Sequence, residues 1–346
     1  MLFSILIPVR NDLSNLTCCL QSLRSQALAD CEILVADDGS QPPLVQEDLP
    51  ALDAPLHLFR LSGRGPAAAR NLLANQATGD YLFFLDADTQ ASPQLLQCAR
   101  GVVTKHPEIR SFFGSYDDRP AWPSLVSVYR NLLHHHTHQA SGGQDVSTFW
   151  CGCGVIQRRL YLECGGLSEA YRTSSIEDLA FGARLLERGV LTRVVPELQV
   201  KHLKRWTLSR WLYTDLFRRG IPWVRLMRSR REWTNQLNVS RSQRVAALAA
   251  VVVATLLVSA VWRPSLALLA VVPLAVFVHL NRNFFRLVTR TQGLASAIAM
   301  VPLHLVYALI CAMSVVMGLL YPGLGPEHDT HGRDASTCGG SALDPP

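Results

Sequence analysis

Apolar residues in the first ninety positions come in short runs: Leu2–Pro8, Cys31–Ala36, Pro55–Leu61 and Tyr81–Leu85, the last with no polar interruption. Between the first two, Leu16, Leu20 and Leu23 recur at helical spacing behind Asp12 and Ser14, either of which can cap a helix. Pro66 is placed to open another helix running to Ala74. Predominantly apolar runs suit strands covered on both faces, and their alternation with helices predicts an α/β fold with a largely parallel sheet. Further on, Ile109–Gly114 reads as an edge strand and Trp122–His138 as a helix. Trp150–Ile156 reads as a glycine-punctuated strand or loop. Ser174 or Ser175 caps a helix that begins with Glu177 and Asp178, runs to about Arg188 and stops at Gly189. Leu191–Val195 and Glu197–His202 read as short extended pieces.

The pattern changes after residue 206. Thr207–Trp233 mixes arginines with Trp211, Trp223 and Trp233, as amphipathic helices in a headgroup layer do. Val245–Trp262, Ser265–Leu280 and Leu294–Leu320 then hold no charge over 18, 16 and 27 residues. Against the roughly 20 residues of a bilayer span, the third is long enough, while the first two read as two spans or a shallow hairpin around Arg263-Pro264. The simplest count is three spans. Arginines crowd the N-terminal side of the first, which predicts a cytoplasmic head in the inner (cytoplasmic) membrane. The expected division is 1–206 as an α/β domain, 207–244 as juxtamembrane helices, 245–320 as the membrane unit and 321–346 as a disordered tail.

Composition agrees with that division. The chain is 49% hydrophobic and 17% charged, and its net charge of +6 is carried mainly by arginine, lysine standing only at positions 105, 201 and 204. Arginine suits phosphate and anionic lipid; the charges are too scattered for nucleic acid. Met1–Val9 is too short for a signal peptide, and the nine cysteines show no metal-ligand spacing, so they read as reduced thiols.

Polar clusters punctuate the strand ends: Arg10-Asn11, Asp37-Asp38 and Asp86-Ala87-Asp88. Any one of them could be a turn. Three at one sheet edge fit a nucleotide site better, because open α/β sheets bind ligands at the carboxyl ends of their strands. Asp86 and Asp88 could share a hard divalent ion, Mg²⁺ or Mn²⁺. Glu177 and Asp178 fit either a functional carboxylate pair or simple complementation of a helix dipole. His134 and His138 lie four residues apart, but without a partner motif they read as a polar helix end rather than a metal site.

These residues resemble glycosyltransferase family 2. The resemblance covers residues 2 to about 206 and rests on Ile7-Pro8-Val9-Arg10-Asn11, Val35–Ser40, Ala69-Arg70-Asn71, Phe84–Asp88 and Ile176-Glu177-Asp178. It implies the GT-A nucleotide-diphospho-sugar transferase fold followed by transmembrane helices. It implies that Pro8, Arg10 and Asn11 line a nucleotide pocket and that Asp37 or Asp38, with Asp38 preferred, bonds the base. Arg70 and Asn71 would lie near the nucleoside or phosphate, Asp86 near the ribose, and Asp88 would hold the metal. Asp178, with Glu177 beside it, would be the base. His202–Trp206 is similar to the Q-x-x-R-W motif of processive members, with His in place of Gln; Lys204, Arg205 and Trp206 would serve the diphosphate or acceptor. The expected reaction is inverting, metal-dependent transfer from a nucleotide-sugar, most often a UDP-sugar, to a hydroxyl on a lipid or lipid-linked saccharide. A polyprenyl-phosphate sugar synthase and a non-catalytic membrane scaffold are the rival readings. A nucleotidyltransferase would show a glycine-rich loop with lysine near the first strand, which Gly63-Arg64-Gly65 does not supply.

Overall fold

The computed structural model describes residues 2–231, 236 and 240–320. The tail expected to be disordered lies outside them, as does Trp233 of the juxtamembrane stretch. The first half contains β1 (Phe3–Val9), α1 (Leu13–Leu23), β2 (Cys31–Asp38), β3 (Leu56–Leu61), α2 (Pro66–Gln76), β4 (Tyr81–Leu85), β5 (Thr89–Ala91) and α3 (Leu95–Lys105). It continues through β6 (Ser111–Tyr116), α4 (Leu125–Ala140), β7 (Asp145–Val146), β8 (Cys153–Gln157), α5 (Arg158–Glu163), α6 (Glu177–Glu187) and β9 (Thr192–His202). The strands form one sheet in the order β3-β2-β1-β4-β8-β6-β9-β5, with β7 pairing on β9.

β1, β2, β3 and β4 are mutually parallel, as the alternating pattern predicts. β8 runs antiparallel to both β4 and β6, and β5 antiparallel to β9, so the sheet is mixed. An apolar run specifies burial, not direction, and direction here is set by how the later crossovers return. The sheet's two faces explain the apolar runs. Phe3, Ile5, Ile7 and Phe83 pack with Leu16, Leu20 and Leu96 of α1 and α3. Their neighbours Leu6, Leu82 and Phe84 pack on the opposite side with Leu73, Tyr161 and Phe181 of α2, α5 and α6.

The C-terminal part contains α7 (Leu208–Tyr213), a π-helical segment (Thr214–Gly220), α8 (Ile221–Arg230), α9 (Arg241–Ser259), α10 (Leu266–Leu269), α11 (Val271–Leu280), α12 (Arg282–Gln292) and α13 (Leu294–Leu320). Two of these, α9 and α13, are long and apolar enough to cross a membrane. The middle apolar stretch differs from a full span: α10 and α11 cover only Leu266–Leu280 and then bend by 72° into α12. Fifteen helical residues reach only about 22 Å, short of a hydrocarbon core of about 30 Å. α12 is amphipathic, burying Phe284, Phe285 and Val288 and exposing Arg282, Arg286 and Arg290. α4 joins the two parts of the molecule: its Tyr129 and Leu132 share a core with Trp211, Ala246, Phe277, Phe284 and Met300.

Candidate active site

The carboxyl ends of β1, β2 and β3 make a shelf held by its own main chain. Asn11 adopts φ of 53°, which asparagine tolerates. Its N–H donates to Ser40 Oγ at 2.8 Å and its Oδ1 accepts from the N–H of Gln41 at 2.8 Å, tying the loop after β1 to the loop after β2. Asp37 accepts from the N–H groups of Ser40 (2.8 Å) and Leu44 (3.0 Å). Asp38 accepts from those of Arg64 (2.7 Å) and Gly65 (2.8 Å), so both acids shape loops. Gly39 has φ of 79°, and a Cβ there would come within 2.9 Å of Gly63 N, so only glycine lets the second and third loops touch. Arg10 is exposed and lies against Gly63, and Pro8 is the half-buried position of β1, with Val9 after it buried. Asn71 is absorbed into structure: its Oδ1 accepts from Tyr161 Oη and Leu167 N, and its Nδ2 donates to Leu167 O.

Beyond β4 the chemistry changes. A cavity of about 670 Å³ is lined by Arg70, Asp86, Asp88, Glu177, Asp178, Lys204 and Trp206, bringing seven of the sequence-predicted site residues together. Pro8, Arg10, Asn11, Asp37, Asp38, Asn71 and Arg205 do not line it. Arg205 lies over the ring of Trp122 at 5.5 Å instead. Arg70 is buried and bridges Asp86 (2.6 Å) and Glu177 (3.3 Å). Glu177 also accepts from Ser175 N at 2.8 Å, which closes the first turn of α6. Glu177 is thus held by one ion pair and one main-chain donor. Asp178 accepts from Leu179 N at 2.8 Å but has no ion pair among the described residues. Its burial and the neighbouring Glu177 push its carboxyl up to about 7, against the opposing pull of Arg70.

Asp88 faces His202 Nε2 at 3.7 Å and Lys204 Nζ at 4.0 Å. Burial acts to raise its carboxyl, but the bond and charge of His202 and the charge of Lys204 outweigh it and bring it down to about 2. His202 is stacked on Tyr116 at 4.3 Å with ring planes 10° apart. Trp206 is buried between Lys204 (5.1 Å) and Arg130 (5.5 Å), so it acts as a platform that aims both cations.

Several residues that line the cavity are not visible in any motif. Tyr116, His134, His138 and Trp150 form an aromatic wall, with ring centres 4.3 Å apart for the two histidines and 4.9 Å for Tyr116 and Trp150. His134 and His138 share a helix face at i, i+4, and that face turns to the sheet, not to water. Burial pushes the His138 imidazole down to about 3, so it is a neutral ring and not a polar helix end. Among the described residues no group of three or more His, Cys, Asp or Glu side chains could hold a metal ion. Arg130 and Arg219 enter from α4 and the π-helical segment, and no spacing signal marks either.

A mixed sheet with acids at its carboxyl edge above one cavity is the GT-A arrangement, and the class it defines is the glycosyltransferases. The model of the family Glycosyl transferase family 2 matches residues 4–165, and over that segment the chain is similar to the family. An uncharacterized glycosyltransferase of Haemophilus influenzae is 28% identical over 203 residues, 55% of this chain and 64% of the relative. A pre-mycofactocin glycosyltransferase of Mycobacterium tuberculosis is 27% identical over 230 residues, 63% of this chain and 46% of the relative. The matched segments thus span less than two thirds of these relatives. A mannosyltransferase from Pyrobaculum calidifontis, solved with GDP-Man and Mn²⁺, superposes with a TM-score of 0.53 at 14% identity, covering 92% of this chain and 87% of that one. That likeness concerns the fold.

Proposed function

We propose that this chain is an inverting, metal-assisted glycosyltransferase that moves a sugar from a nucleotide-sugar, with UDP-sugars the first choice, to a hydroxyl of an amphiphilic acceptor, a lipid or lipid-linked saccharide. The observation that carries the reading is that Asp86, Asp88 and Asp178 share one cavity with His202 and Lys204. The nucleotide lies on the shelf, against Pro8, Arg10, Asn11 and the Asp37–Asp38 loop, with its ribose towards Asp86 and its diphosphate towards Asp88. The GDP-Man and Mn²⁺ of the Pyrobaculum neighbour support a nucleotide-sugar and a divalent cation as ligand classes.

The donors present fit such a cation. Asp88 offers a carboxylate and His202 an imidazole 3.7 Å away, both acceptable to Mn²⁺. Hard divalent ions complete their shell with water and substrate phosphate, so two protein ligands suffice. A cation held there would neutralise charge as it develops on the departing diphosphate. Lys204 adds a fixed positive charge on the same side. In the transfer step the acceptor hydroxyl gives its proton to ionised Asp178 while its oxygen attacks the anomeric carbon. The bond from that carbon to the phosphate oxygen breaks, and the nucleoside diphosphate leaves with the electron pair. Attack from the face opposite the leaving group inverts the centre. A carboxyl near 7 is well matched to this task.

The same reading treats residues 1–206 as the catalytic domain, 207–244 as a juxtamembrane layer and 245–320 as a membrane unit. The head then lies on the cytoplasmic face of an inner membrane. Arg225 and Arg228 ahead of α9, with Arg241 and Arg244 in its first turn, support that orientation. The test is a screen of sugar nucleotides against the detergent-solubilised full chain. One of them should raise the melting temperature with Mn²⁺ and be slowly hydrolysed, and chelation should remove both effects. Failure of every sugar nucleotide to bind overturns the reading.

A further inference from the structure

One stretch of the cavity lining is uncharged: Tyr116 of β6, His134 and His138 of α4, and Trp150. The transfer step uses none of them. Trp150 is half-buried, with Tyr116 at 4.9 Å, His134 at 5.0 Å and His138 at 4.9 Å between ring centres. Gly152 sets its pose. A Cβ there would come within 2.5 Å of the indole, so the glycine lets Trp150 fold back over its own loop. The indole packs among these rings and still lines the cavity.

The two histidines differ in what they offer. His138 is buried, and the main-chain carbonyl of Gly114 engages it. His134 is half-buried, and its Nδ1 is shut away without a partner among the described residues. A proton on that nitrogen would be a buried donor with nothing to meet, which costs more than an idle lone pair. The neutral ring therefore carries its proton on Nε2, the nitrogen left to serve the cavity. Burial, then His138, Arg219 and Arg130, hold this imidazole well below its usual value, so it stays neutral. A phosphate calls for a charged donor. An indole with one neutral N–H beside it suits a sugar, which has an apolar C–H face and hydroxyls around it. The position singles out one sugar. Tyr116 touches Trp150 and also stacks on His202 at 4.3 Å, and His202 lies 3.7 Å from Asp88. Trp150 is thus one ring removed from the group that, on the glycosyltransferase reading, faces the diphosphate. The unit joined to that diphosphate is the sugar to be moved.

We propose that Trp150 and His134 seat the transferred sugar, its ring against the indole and one hydroxyl oxygen accepting from His134 Nε2, and that they thereby select which sugar is taken. This rests on the glycosyltransferase reading above. The test is calorimetry of the full chain in dodecyl maltoside with Mn²⁺. The probes are UDP-glucose, UDP-galactose, UDP-N-acetylglucosamine and GDP-mannose, with UDP and GDP as sugar-free controls. The readout is the Kd of the tightest sugar nucleotide divided by the Kd of its own nucleoside diphosphate, a ratio from which the nucleotide's contacts cancel. Trp150→Leu should raise that ratio about tenfold. His134→Phe, which keeps a ring in the wall, should raise it about fivefold. His134→Gln, whose amide nitrogen stands in for Nε2, should bring it back to within about twofold of the unmodified protein. The nucleoside diphosphate should bind every variant alike. A Trp150→Leu chain that binds neither ligand has lost its fold, and the two His134 variants then decide. A ratio unmoved by His134→Phe, or His134→Gln no better than His134→Phe, overturns the proposal and leaves the glycosyltransferase reading standing. An unmodified chain that binds no sugar nucleotide sinks that reading and this inference with it.

Discussion

The shelf and the cavity lie next to each other on one sheet edge but are built on opposite principles. On the shelf every carboxylate is satisfied by main-chain N–H groups: Asp37 and Asp38 accept two each. Around the cavity the acids face other side chains, and the match is incomplete. Asp88 has His202 at 3.7 Å and Lys204 at 4.0 Å, and Asp178 is held near 7 by burial and Glu177. Satisfied groups fix a shape, whereas incompletely matched ones keep electrostatic capacity for a substrate. On the proposed function, the difference separates recognition from reaction.

Substitutions should respect that boundary. The largest effect is expected at Asp88. Asp88→Asn should cut Mn²⁺-dependent donor turnover by about 10³-fold with an unchanged circular dichroism spectrum; unaltered turnover would remove Asp88 from the metal site. Next comes Asp178→Asn, which should lower transfer by about 10²–10⁴-fold while donor binding in calorimetry persists. In the unmodified protein the transfer rate should climb as pH rises through about 7 and then level off, because only the ionised carboxylate can take the proton. Asp178→Asn should also stabilise the fold. A carboxyl raised from 3.8 to about 7 disfavours the folded state increasingly across that interval and constantly above it. The melting-temperature gain should therefore be greater at pH 8 than at pH 5, and a gain independent of pH would contradict the assignment.

Arg70→Met strands Asp86 and Glu177 and should cost roughly 3 kcal/mol in chemical denaturation. The smallest effect belongs to the shelf. Asp37→Asn should loosen the loop and raise donor KM by about tenfold, while leaving the pH profile of transfer in place. A shifted profile in that variant would erase the division between shelf and cavity.

What the sequence revealed follows the same line. Local turn chemistry made the shelf legible: Asp37-Asp38-Gly39-Ser40 and Gly63-Arg64-Gly65 carry their geometry within a few residues. The Asp86–Asp88 pair and the start of α6 were readable because a strand end and a helix start announce themselves. Arg70 was placed near the nucleotide or phosphate by resemblance, but its pairing with Glu177, 107 positions away, is a tertiary fact. His134 and His138 were read as polar because helical spacing names a face without saying what that face meets. Tyr116, Arg130, Trp150 and Arg219 gave no signal, since each joins the cavity only through packing of separate elements. The middle apolar stretch was countable but not its path, because hydropathy does not report the 72° bend before α12.

The shared packing of α4 has a consequence for how the molecule is made. Tyr129 and Leu132 rest on Trp211, Ala246, Phe277 and Met300, residues translated well after the catalytic motifs. The head thus completes its interior only once the last helices are seated. Severing the chain after Trp206 would leave that flank of α4 bare and yield a sticky fragment in place of a free-standing catalyst.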